Sequence, residues 1–240
     1  MSSLLIIALV VFIYYQYNDR QLTITEASVL RDLTDKHLSQ PNANELISIY
    51  GLLGERKWNG GAFRFSNVTD VSYNQIKEVS LEPANELFAN EFTREKQVGR
   101  FKDSIAKIVA DAGGDSVGKE YSSIYLPIAN ELIHLAESTA SRKILVIYSD
   151  LMENDIDISL YAKDQLQLFE TNSEILKERF EKQKLLPSLT GIEVYIIFQP
   201  KDKEDDREFQ IVSGFYKKML EEKGAKVIIS ANLTLQNQVQ

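Results

Sequence analysis

The chain has no cysteine and only two histidines, His37 and His134, in 240 residues. The first absence excludes disulfides, thiolate zinc sites and a cysteine nucleophile. The second leaves too little imidazole for a histidine-built transition-metal centre, so any resident metal must be a hard ion held by oxygen. Positive charge is scarce as well. Lys and Arg number 27 against 35 Asp and Glu, a formal charge of -8, and the isoelectric point is about 5.0. A phosphate backbone calls for a basic face, none is visible, and nucleic acid is not expected as a partner. What the chain does have is 44% hydrophobic and 26% charged residues, a composition that can bury a full core in one sizeable domain.

The long apolar run is at the start. In SSLLIIALVVFIYYQY, residues 4–15 are apolar throughout, and with their flanks they reach the lower limit of a membrane-spanning helix. Tyr14, Tyr15 and Tyr17 at its end suit a membrane-water boundary, where the ring is apolar and the hydroxyl is wet. No basic residue precedes the run and no small-x-small pattern follows it, which favours an uncleaved anchor over a secretory signal. The expectation is a single-pass anchor in residues 1–20 and a domain in 21–240. Arg20 and Arg31 follow the run, but Asp19 and Asp32 stand beside them, and the side of the membrane taken by the domain stays open.

Beyond the run, strand-like and helix-like stretches alternate. LTITEASVLRD reads as a strand and NELISIYGLL as a short helix. GGAFRFSNVTDV and NQIKEVSLE are two further strands, close enough to pair as a hairpin, and residues 84–110 carry apolar residues at helical spacing. DAGGDSVGKEYSS is a glycine-rich loop before the helix IYLPIANELIHLAES, whose Pro127 falls in the first turn, where a missing amide costs least. KILVIYSD is an almost continuous apolar run, as a parallel strand covered on both faces should be. SEILKERFEKQ, IEVYIIFQP, REFQIVSGFYKKMLEEKG and AKVIISANL continue as helix, strand, helix and strand, with Gly224 ending the last helix. The fold predicted is α/β: a doubly wound, mostly parallel open sheet with helices on both faces.

Such sheets bind ligands beyond the carboxyl ends of their strands, where successive crossovers diverge. RDLTDKH, GKEYSS and SDLMEN then bring Asp32, Thr34, Asp35, Ser122, Ser123, Asp150 and Glu153 towards one edge. Carboxylates and hydroxyls are donors for magnesium, a hard cation that prefers oxygen and keeps several waters. Taken singly, Asp32, Thr34 and Asp35 are also what a turn or a helix cap uses.

Together these residues resemble the von Willebrand factor A-like domains, over nearly all of residues 22–234. The family's metal-ion-dependent adhesion site is Asp-x-Ser-x-Ser after the first strand, a Thr in a later loop and an Asp at the end of the fourth strand. Asp32 and Thr34 stand at the first two positions, Ser122 or Ser123 at that of the Thr, and Asp150 at that of the distal Asp. The third hydroxyl position is Lys36, which as an ammonium cannot ligate a cation. Either Lys36 points away and magnesium binds a weakened site, or its ammonium replaces the ion and ties Asp32 to Asp150. The resemblance implies a protein partner docking through an acidic side chain, with Lys36, Asp35 and Glu153 as binding residues.

Catalysis finds no support in the residues. GLLGERK lacks the Gly-Lys-Ser/Thr ending of a nucleotide loop, and in RDLTD the place of a phosphatase's second acid is taken by Thr34. Two alternatives to a docking module remain: a magnesium-dependent phosphoester hydrolase using Asp32 and Asp150, and a structural subunit of a membrane complex.

Overall fold

Strand β1 (Ile24–Asp32) is buried on both faces from Ala27 to Leu30, which only a central strand can satisfy. In the computed structural model, which describes residues 22–33, 39–68, 75–112, 123–154, 159–160, 166–167, 169 and 171–233, it lies at the middle of a six-stranded sheet. The other strands are β2 (Gly60–Val68), β3 (Ile76–Leu81), β4 (Arg142–Tyr148), β5 (Ile192–Ile197) and β6 (Lys226–Ser230). Their order is β3-β2-β1-β4-β5-β6, parallel except for β3, which pairs antiparallel with β2 at one edge. The doubly wound architecture expected from the sequence is thus observed, hairpin included.

Helices cover both faces. Helix α1 (Ala43–Ser48) and α2 (Glu91–Asp111) lie over one, where Leu46, Val98, Phe101 and Ile105 meet Ala27, Val29, Phe63, Phe65, Ile144 and Val146. Helices α3 (Tyr125–Glu137), α4 (Ser173–Gln183) and α5 (Lys203–Glu222) pack with the opposite face in a larger cluster. Its centre is aromatic, with Tyr125 stacked on Phe180 at 4.5 Å and Phe180 against Phe215 and Tyr216. Gly224, at φ +98°, closes α5 as expected; a Cβ there would lie 2.8 Å from Thr190 Oγ1.

Three boundaries differ from the sequence reading. Helix α1 stops at Ser48, and Gly54–Trp58 forms a separate 3-10 helix. Helix α2 starts at Glu91 instead of near residue 84, because Asn85 turns back to hold the amides of Leu87, Phe88 and Ala89, and Asn90 caps Thr93. Helix α5 starts four residues early, since Asp202 Oδ1 accepts from Glu204 and Asp205 and three acids fill the first turn. Among the described residues no helix is long and apolar enough to cross a membrane. The apolar run of residues 4–15, expected as the anchor, lies outside the described residues.

His134 joins α3 to the sheet, its Nε2 2.7 Å from Glu26 Oε1, and Ser138 donates to the same carboxylate. Trp58 is buried in the 3-10 helix with the Lys57 ammonium over its ring.

Candidate functional site

The chain turns from β1 to β2 and β3 on one side of the sheet and from β4 to β5 and β6 on the other. The carboxyl ends of β1 and β4 therefore flank the point where the winding reverses, the position at which open α/β sheets hold ligands. Asp32 closes β1, and Ser149 and Asp150 follow directly on β4. Both carboxylates are buried, Asp32 at 3% exposure and Asp150 at 6%.

Ser149 ties Asp32 to the turn that carries Asp150. Its hydroxyl donates to Asp32 Oδ2 at 3.0 Å and accepts from the Leu151 amide at 2.9 Å, while Asp150 Oδ1 accepts from the Met152 amide at 2.9 Å. These bonds hold a tight turn in which Leu151 sits at φ 65°, the one non-glycine residue in the left-handed region among the described residues. Such a conformation costs of order 1 kcal/mol or more and persists only when its surroundings impose it. Here they include complete burial of the Leu151 side chain in the α3-side core.

The turn also delivers Glu153, expected among the partner-binding residues, to the start of α3. Glu153 is fully buried, and its Oε2 accepts from the amides of Ile124 at 3.0 Å and Tyr125 at 2.9 Å. Helix α3 has no side-chain cap of its own at Ile124, so a carboxylate from another segment meets its exposed amides and its positive dipole end. The residue before them, Ser123, is fully buried and its Oγ has no hydrogen-bond partner among the described residues. A buried hydroxyl left this way is costly unless something further engages it.

The structure thus brings Asp32, Ser123, Asp150 and Glu153 to one edge. Thr34, Asp35, Lys36 and Ser122 lie outside the described residues. Ser149 was not singled out in the sequence; its signal was its place beside Asp150 at the end of the apolar strand. In kind, two buried carboxylates, the Ser149 hydroxyl and the unpartnered Ser123 hydroxyl fit a hard cation such as magnesium, which one or two carboxylates and water can hold. Among the described residues no group of three or more Asp, Glu, His or Cys is arranged to hold a metal ion, so a purely carboxylate cage is not what they offer.

On the opposite face of the same strand ends lies a second polar row. Arg31 is in register with Asn67 on β2 and Tyr148 on β4, and its Nη1 donates to the Ala112 carbonyl at 2.6 Å. Burial lowers the Arg31 pKa and, with Glu45 nearby, raises that of Tyr148 well above the ordinary tyrosine range. This row ties the end of α2 to the sheet beneath the switch point.

A scan against protein-family models finds no match to the chain, and a search of curated proteins finds none either.

Proposed function

We propose that the chain is a membrane-anchored binding module of the von Willebrand factor A-like class that docks a protein partner over the carboxyl ends of β1 and β4. One observation carries this reading: two buried carboxylates stand at the carboxyl ends of neighbouring central strands at the switch point, Asp32 closing β1 and Asp150 just after β4, with Ser149 tying Asp32 to the turn that carries Asp150. Two strand ends that merely needed to turn would not require buried acids, which are retained at a desolvation cost of several kcal/mol each.

Magnesium in this site would be held by Asp32 and Asp150 with the Ser149 and Ser123 hydroxyls, Thr34 standing at the second motif position, and it would supply a Lewis-acidic attachment for a carboxylate. Lys36 at the third motif position offers a carboxylate the same charge directly, as an ammonium donor. In both forms the partner contributes an acid, and Asp35 beside Lys36 selects its approach.

The test is calorimetry of the full chain in detergent micelles with magnesium and manganese, for the parent, Lys36→Ser and Asp32→Ala. Binding in the parent that is lost in Asp32→Ala supports a live metal site. Binding only in Lys36→Ser means the lysine stands in for the ion and the docking is metal-free. No binding in either rules the metal out of this edge.

A further inference from the structure

Eight large hydrophobic side chains are exposed among the described residues, and five of them, Leu22, Leu53, Leu87, Phe88 and Phe92, belong to one end of the domain. That end is where the parallel strands begin, opposite Asp32 and Asp150. Leu22 precedes β1, Leu53 lies on the connection from α1 to β2, and Leu87, Phe88 and Phe92 occupy the turn after β3 and the first turn of α2. Phe88 is 89% exposed and Phe92 76%, values that a soluble surface seldom allows for neighbouring phenyl rings.

The turn that carries them is built to hold them outward. Asn85 takes the Leu87 amide on its side chain at 2.9 Å and the Phe88 and Ala89 amides on its carbonyl at 3.1 and 3.0 Å. Behind it, the buried Arg94 donates to the carbonyls of Lys57, Glu82 and Asn59 and fixes the first turns of α2 against the sheet. The rings are therefore displayed on a rigid base, and little ordering entropy is left to lose on contact.

The chain itself indicates what they meet. Only six residues, 16–21, separate the apolar run ending at Tyr15 from Leu22. Fully extended, they let Tyr15 and Leu22 lie at most about 25 Å apart. Thr23 is fixed at this same end, its carbonyl accepting from the Gly60 amide at 2.9 Å. On the reading of residues 4–15 as a membrane anchor, on which this inference rests, Leu22 is tethered within that distance of the bilayer surface, and the exposed rings lie at the same end of the sheet.

We infer that the Leu87-Phe88 turn and Phe92 form a membrane-contacting patch, which lays the strand-beginning end of the domain on the lipid surface and points the Asp32 edge away from it. Glu82, Glu86, Glu91 and Glu95 flank the rings in the sequence, Lys57 is spent on ion pairs with Glu91 and Glu95, and Arg94 is spent on carbonyls. The contact is therefore apolar insertion at the headgroup boundary of neutral lipid, without attraction to anionic headgroups.

Because the chain has no cysteine, a single Leu87→Cys or Ile76→Cys change gives one labelled site, at the patch or at the opposite end of β3. The full-length chain carrying an environment-sensitive fluorophore at either site is reconstituted into phosphatidylcholine vesicles with a nitroxide on the lipid chains. Several-fold stronger quenching at position 87 than at 76, abolished by Phe88→Ser with Phe92→Ser, is the expected result. Equal quenching at both positions in chain that floats with the vesicles overturns the patch and leaves the anchor standing. Chain that stays in the soluble fraction overturns the anchor and the patch with it.

Discussion

Replacing Glu153 by alanine should destabilise the domain by about 3 kcal/mol, and the figure follows from three terms. The carboxylate accepts two buried amide bonds, from Ile124 and Tyr125, each worth about 1.5–3 kcal/mol with a charged acceptor. It also faces a helix N-terminus, for about 0.5–2 kcal/mol more. Against these stands the desolvation of a fully buried charge, roughly several kcal/mol, which the alanine variant no longer bears. Glutamine keeps one acceptor and loses the charge, so its cost should be about half as large. Trp58 is the only tryptophan and is buried, which makes its fluorescence a reporter of unfolding in urea. With a slope of roughly 2–3 kcal/mol per molar, the alanine midpoint should fall by about 1 M. Hydrogen exchange at the Ile124 and Tyr125 amides should accelerate in both variants, alanine more than glutamine. An alanine variant with the parent's midpoint and unchanged exchange at these two amides would refute the claim that Glu153 caps α3.

Arg94 is 1% exposed and spends its guanidinium on three backbone carbonyls and the Gln97 side-chain oxygen with no carboxylate partner among the described residues, and burial lowers its pKa. Arg94→Met should cost about 3 kcal/mol, since the carbonyls lose their donors, and Arg94→Lys should recover little, an ammonium being unable to span all three; urea unfolding measures both. Glu193 gives a pH dependence: burial by itself would raise its pKa, but hydrogen bonds from Arg142 and Tyr195 and the charges of Arg142 and Lys226 prevail and lower it below the ordinary 4.5. A carboxyl depressed on folding contributes stability that is complete above the unfolded value and is lost as pH falls towards the folded one. The parent should therefore lose stability relative to Glu193→Gln as pH drops below about 4.5, and parallel curves for the two would contradict this.

The strands were legible because burial leaves a plain signature. KILVIY and IEVYII carry apolar residues on both faces, and both are central strands. The start of α2 was misread because Leu87, Phe88 and Phe92 sit at helical spacing for a different reason: they are exposed, and the asparagines Asn85 and Asn90 set the true boundary. Apolar periodicity could not tell a surface patch from a buried stripe. Asp32 and Asp150 could be found from strand ends alone. Ser149 stands at the same strand end as Asp150, but its contact with Asp32 depends on β1 and β4 being neighbours, a long-range pairing the local pattern does not encode. Glu153 was assigned to the right edge, but its bonds to α3 depend on Leu151 adopting φ 65°, a conformation that leucine gives no reason to expect.

The central position of β1 has a mechanical consequence. The strand begins at the end nearest the N-terminal apolar run, and it is registered with β2 over nine residues and with β4 over seven, parallel to both. Tension applied between the two ends of β1 acts along the strand axes and loads both ladders in shear, so many hydrogen bonds must yield together. An edge strand such as β3, paired on one side, would have one ladder to share the same load. Because β1 is paired on both sides, tension along it is shared between two parallel ladders.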